Sequence, residues 1–242
     1  MTTHTHPIND DVSPYPEMVG DVDEALESQK ARFREYLQRV CAARRQSPRN
    51  DLISALVKAE QDGDRLSPDE LIGMVFLLLI AGFLTTANLI GNGTLALLRN
   101  PDQLALLRER PDLTQNAVEE LLRYDSPLEV SSVCYASCDI ELGGLVIPRG
   151  APVRVIIPSA NRDANEFPDP DRLDITRDPC PHLSFGHGIH YCLGAPLARL
   201  EGRIALRMLV DRAPNLRFSD PQRVIWQPHP ILRGLQLLPL RF

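Results

Sequence analysis

One ten-residue stretch holds the residues best placed to do chemistry. Phe185 to Gly194 read FGHGIHYCLG and run directly into APLARLEGRIALRMLV, whose apolar spacing predicts a helix with Pro196 in its first turn. Cys192 therefore sits where a glycine-rich turn gives way to a helix. Unpaired N–H groups at such a junction carry partial positive charge, which favours the thiolate, the form of cysteine that binds a metal or attacks as a nucleophile. Three glycines, Gly186, Gly188 and Gly194, with an apolar rim of Phe185, Ile189 and Leu193, let something flat and bulky approach the backbone closely. A heme has that shape.

A plainer metal reading competes with it. Cys180, His182, His187, His190 and Cys192 are zinc-type donors, but the two cysteines among them do not stand at the paired Cys-x₂₋₄-Cys spacing of zinc sites. Composition narrows the field further. A chain of 242 residues can bury one large core or two modest ones, and a net charge of −6 with no basic block argues against nucleic acid as the main partner. Five cysteines at irregular spacings do not form a disulfide framework. The N-terminal MTTHTHPINDDVSPYPEM lacks a signal-peptide core, so the cytoplasm is the expected compartment.

Taken in order, residues 1–20 are polar with three prolines and are expected to form a flexible arm, with a single domain over 21–242. From Asp21 early acids, a shared face of Phe33, Tyr36, Leu37 and Val40, and closing Arg44 and Arg45 predict an amphipathic helix. Asp51 to Glu60 predicts a short helix ending near Gly63. Ser67-Pro68-Asp69-Glu70 then reads as a capping box at the head of a long apolar helix. No charge occurs between Glu70 and Arg99, long enough for a membrane span, but Thr85, Thr86, Asn88, Asn92 and several glycines interrupt it; a fully buried central helix, with no membrane partner, is expected. Asn100-Pro101 starts another helix, and Thr114 is expected to cap AVEELLRY, which Pro127 terminates. Beyond it SSVCYASCDIELGGLVIPRG predicts a hairpin turning at Gly143-Gly144, VRVII a short buried strand, and RFSD, RVIWQ and LRGLQLLPLRF further short strands. The plan is mainly α with a minor β part.

These residues carry a resemblance. FGHGIHYCLG is similar to the heme-binding loop of the cytochrome P-450 family, Phe-x-x-Gly-x-x-x-Cys-x-Gly, with Phe185, Gly188, Cys192 and Gly194 all matching. EELLRY supplies the family's Glu-x-x-Arg pair as Glu120 and Arg123. AGFLTT resembles its oxygen-binding groove, and SANRD with FPDPDRLD resembles the segment before the cysteine loop. The resemblance runs from about Asp21 to the C-terminus and matches the C-terminal part of the family fold, of the soluble bacterial type.

It implies heme b with Cys192 as the axial thiolate, His190 as a heme-propionate partner and Phe185 near the proximal sulfur. It implies a buried charge network of Glu120, Arg123 and Arg172, with Arg162 a further candidate. Ala81 and Gly82 would leave room at the distal face for dioxygen, and Thr85 would offer it a hydroxyl. Three departures stand beside these matches. The family's N-terminal half has no counterpart, Leu84 replaces the acid usual before Thr85, and Cys134 stands where an arginine commonly reaches a propionate.

The function implied is a heme-thiolate monooxygenase or peroxygenase oxidising a small apolar metabolite in secondary metabolism, served by a ferredoxin-type redox partner. Loss of the acid suits an alternative, a non-oxidative isomerase or cyclase that works by orienting its substrate in an apolar cavity. Loss of propionate contacts suits a non-catalytic heme-binding or remnant protein. A long helix apolar all round needs cover on every side, so a homodimer across it is expected.

Overall fold

The computed structural model describes residues 16–61 and 66–242. Seven α-helices and eight short strands occur among them: α1 (Pro16–Gln46), α2 (Leu52–Gln61), α3 (Pro68–Arg99), α4 (Pro101–Glu109), α5 (Thr114–Tyr124), β1 (Cys134–Tyr135), β2 (Ile140–Leu142), β3 (Leu145–Ile147), β4 (Pro152–Val153), α6 (Ile157–Ala160), α7 (Ala195–Arg212), β5 (Arg217–Phe218), β6 (Ile225–Trp226), β7 (Leu235–Leu237) and β8 (Leu240–Arg241). The mainly helical plan with minor strands is the one expected. Most of the expected arm, residues 1–15, and the stop at Gly63 lie outside the described residues; α1 already begins at Pro16.

The chain forms two compact units, dividing within α3 between Leu79 and Ile80. In the first, α1 and α2 enclose Leu37, Cys41, Val57, Leu71, Ile72 and Val75, with Phe33 set edge-on to Phe76 at 5.6 Å. Asp51 accepts the Ser54 N–H at 2.8 Å to open α2. The expected capping box is present: the Ser67 N–H donates to the Glu70 carboxylate at 2.7 Å, and the Glu70 N–H donates to the Ser67 hydroxyl at 3.3 Å.

The second unit is organised by α3, α5 and α7. Its core joins Leu89, Ala96 and Leu97 of α3 to Ala117, Val118, Leu121 and Leu122 of α5 and to Ala195, Leu206 and Val210 of α7. Small residues allow the close approach: a Cβ at Gly202 would come within 3.2 Å of Leu89 and 3.4 Å of Val118. The four sheets are two-stranded and antiparallel, pairing β1 with β4, β2 with β3, β5 with β8 and β6 with β7. The β2–β3 hairpin turns at Gly143 and Gly144, both at positive φ (58° and 78°), the conformation a two-residue turn requires and glycine supplies without strain.

Three expectations differ from what is found. Only Pro152–Val153 of the PVRVII run is strand, and Val155 and Ile156 are about half exposed, because an apolar run alone does not fix which partner covers it. Thr114 does not cap α5; it is already helical, and its hydroxyl donates to the Pro111 carbonyl at 2.6 Å. α3 is not buried along its whole length: its two ends join the cores, but only 22% of its most apolar 18-residue window is covered, and Phe83 is 71% exposed. By length and composition alone α3 is also apolar enough to cross a membrane.

Candidate functional site

The site rests on α5. Its Glu120 and Arg123 share one face at i,i+3 spacing, and both side chains are fully buried. Nε and Nη2 of Arg123 donate to the two oxygens of Glu120 at 2.7 and 2.9 Å. The remaining donors of Arg123 reach three carbonyls, of Asn161 (3.0 Å), Pro170 (2.7 Å) and Arg172 (3.1 Å). All five guanidinium N–H groups are thus used. Glu120 in turn accepts the Asp174 N–H at 2.9 Å and Nε of Arg177 at 3.1 Å.

This corrects one expectation. Arg172 enters the network through its backbone carbonyl alone, and its side chain is exposed; the second guanidinium on Glu120 belongs to Arg177. Arg162 does not join either. It pairs with Asp171 at 2.6 Å and donates to the Tyr124 carbonyl at 2.8 Å, closing the C-terminus of α5.

From this anchor the cysteine loop is reached in two steps. Asn161, fully buried, accepts the Leu183 N–H at 2.7 Å and donates to the Ser184 hydroxyl at 2.9 Å, while that hydroxyl donates to the Leu122 carbonyl at 2.7 Å. Phe185 follows, buried in the core, and its carbonyl accepts the Cys192 N–H at 2.9 Å, closing the loop. Between them Gly186 and Gly188 turn the backbone at φ 72° and 73°. Asn161 was not singled out from the sequence; the SANRD segment that contains it was the available signal.

Cys192 is half-buried, three residues before the first residue of α7, and its carbonyl accepts the Ala195 N–H at 3.2 Å. A Cβ at Gly194 would lie 3.9 Å from its sulfur and narrow access to it, whereas one at Gly188 would meet nothing within 4 Å. Ile189 and Leu193 beside it are 97% and 84% exposed. Among the described residues no group of three His, Cys, Asp or Glu side chains converges on a metal position. The zinc-type donors are dispersed: His182 bonds Glu119 at 3.1 Å, His187 and His190 are exposed, and Cys180 points at Glu120 at 3.8 Å. Burial, then the Glu120 charge, pushes the Cys180 thiol up to about 12, so it stays protonated at neutral pH. One accessible thiol beside an open apolar face suits a metal that brings its other ligands with it, as heme iron does.

On α3, Ala81 and Gly82 are exposed and Thr85 is half-buried, with its hydroxyl donating to the Ala81 carbonyl at 2.6 Å. Its oxygen lone pairs stay available, but its proton is held within the helix. Leu84 is 36% exposed beside it. Cys134 is exposed on β1, opposite Val153 of β4.

Comparisons with known proteins identify the family. The family model Cytochrome P-450 matches residues 10–214. The chain is 49% identical over 209 residues to the cytochrome P-450 monooxygenase PikC of Streptomyces venezuelae, covering 86% of this chain and 50% of that one. It is 50% identical over 200 residues to 6-deoxyerythronolide B hydroxylase of Saccharopolyspora erythraea, covering 82% and 49%. Among solved structures it superposes on the tirandamycin C-bound monooxygenase TamI with a TM-score of 0.83 at 45% identity, covering 87% of this chain and 53% of that one. The chain thus spans about half the length of these relatives.

Two outcomes follow from the charge network and its neighbours. Arg177→Ala removes a guanidinium from a buried carboxylate and should cost about 3–5 kcal/mol in urea unfolding. Arg172→Ala, which removes no side-chain contact to Glu120, should stay within about 0.5 kcal/mol of the parent; the reverse order would restore Arg172 to the network. Burial pushes the Glu119 carboxyl up, but hydrogen bonds from His182 and Arg199 outweigh it and hold the group at about 2, against an ordinary 4.5. A depressed carboxylate contributes stability above pH 4.5 that is lost as pH falls from 4.5 toward 2. Thermal melts of Glu119→Gln should therefore fall less steeply across that window than those of the parent; parallel curves would contradict it.

Proposed function

Because the chain belongs to the cytochrome P-450 family, we propose that it is the heme-thiolate part of a monooxygenase that oxidises a small apolar metabolite in the cytoplasm, with electrons from a ferredoxin-type redox partner. The family's cofactor is heme b held through a cysteine thiolate. Bound, it supplies an iron at which dioxygen or peroxide is activated. One observation carries the reading: Cys192 is a half-buried thiol in a glycine loop anchored through hydrogen bonds to a buried charge network.

In this reading Cys192 would hold the iron through its thiolate, and Phe185, in the core against which Cys192 packs, would keep water from the sulfur on that side. Gly188 and Gly194 keep the backbone low enough for a planar group, and exposed His190 is free to turn its imidazole to a propionate. Ala81 and Gly82 would leave room for dioxygen, and the Thr85 hydroxyl, which donates its proton to the Ala81 carbonyl, would have to turn to offer it. Leu84 carries no proton, so the group that delivers one past Thr85 must come from water or substrate. That same leucine favours a second reading, a non-oxidative cyclase or isomerase using the apolar face for orientation.

Absorption spectra of the purified, heme-supplied protein, reduced and exposed to carbon monoxide, separate the two. A thiolate-type carbon monoxide complex that disappears in Cys192→Ser is the expected result. Failure to take up heme would remove the oxygenase reading, and product formation by heme-free protein would then select the cyclase. We also place a second copy of the chain across the exposed apolar face of α3, where Phe83 is 71% uncovered. Light scattering should give twice the 27.1 kDa chain mass, and a monodisperse monomer would contradict it.

A further inference from the structure

Arg199, in the second turn of α7, makes contacts that the heme-thiolate reading does not use. Its Nε and Nη2 donate to the two oxygens of Glu119 on α5 at 2.8 and 2.9 Å. Its Nη1 donates to the Tyr191 hydroxyl at 3.1 Å, and its Cζ lies 4.5 Å from the centre of the Phe185 ring. Phe185 opens the cysteine loop and Tyr191 immediately precedes Cys192. One guanidinium thus touches both ends of the loop while it is fastened to a different helix.

We infer that Arg199 is a positioning residue for the thiolate: anchored by Glu119, it clamps Phe185 and Tyr191 and so fixes where the Cys192 sulfur is presented. The inference rests on the heme-thiolate reading and adds to it a residue outside the Phe-x-x-Gly-x-x-x-Cys-x-Gly pattern. Placement, rather than charge, is its contribution, because the two Glu119 oxygens neutralise the guanidinium at hydrogen-bond distance. The fork geometry is needed as well. An ammonium group is a point donor that cannot hold a carboxylate bidentately, lie flat on a ring and reach a hydroxyl at once. The anchor is itself fixed from behind: His182 bonds Glu119 at 3.1 Å, its other ring nitrogen accepts the Ser184 N–H at 3.2 Å, and its ring stands 5.7 Å from that of Phe185. Glu119 therefore receives one partner from each side of the loop entrance.

The test compares the 242-residue parent with Arg199→Lys, Glu119→Gln and Tyr191→Phe, each checked for helical content by circular dichroism and then titrated with heme. Heme affinity and the carbon monoxide spectrum are the readouts, since a merely structural role would lower stability without altering the form of the complex. Arg199→Lys and Glu119→Gln should bind heme about 10–100-fold more weakly and give a carbon monoxide complex that has partly lost its thiolate character. Tyr191→Phe, which removes one hydroxyl, should shift both in the same direction by less, and it carries the test if the other two fail to fold. A folded Arg199→Lys or Tyr191→Phe that matches the parent in both readouts would overturn the inference alone. A parent that takes up no heme would overturn the heme-thiolate reading and the inference with it.

Discussion

A carboxylate with no exposure to water must find every partner within the protein, and Glu120 imposes that condition on its surroundings. It is met by a bidentate Arg123, by Nε of Arg177 and by the Asp174 amide. Such a cluster contributes little net stability, because taking the ions out of water costs about as much as their attraction returns. Its effect is on geometry. Any displacement of residues 161–177 would leave a buried charge or a buried N–H group unpaired, so one arrangement of that irregular segment is strongly preferred over its neighbours.

That preference passes to the reactive sulfur through short contacts. Arg123 holds the Asn161 carbonyl, the Asn161 side chain holds Leu183 and Ser184, and the Phe185 carbonyl holds the Cys192 amide. No regular sheet or helix spans this route from residue 161 to 192. A loop ordinarily carries a functional residue with some freedom; here side-chain hydrogen bonds substitute for secondary structure and leave it little. The helices contribute the fixed frame, α5 supplying the charges and α7 receiving the chain directly after the cysteine.

The parts of this arrangement governed by local rules were legible in the sequence. Helical periodicity marked α5 and α7, Ser67 and Glu70 marked the start of α3, and the pair Gly143-Gly144 marked the hairpin turn. The glycines and cysteine of FGHGIHYCLG marked the loop because their chemistry is carried by residue type and spacing. What failed depended on which distant surface meets which. Arg172 and Arg177 stand five apart in an irregular stretch, and nothing in their types says which one turns inward to Glu120. Asn161 reads as an ordinary loop asparagine until its two hydrogen-bond partners, 22 and 23 residues away, are in place. Hydropathy identified α3 as a helix that needs cover but not whether this chain provides it.

The central claim is that the Glu120 network, acting through Asn161, holds the cysteine loop. Native-state hydrogen exchange on Glu120→Gln, followed at individual amides, tests it most directly. Protection should fall together at Asp174, Leu183 and Cys192, whose N–H groups bond Glu120, Asn161 and Phe185 in turn, while amides within α4 keep theirs. Loss confined to Asp174, with Leu183 and Cys192 exchanging as in the parent, would contradict it.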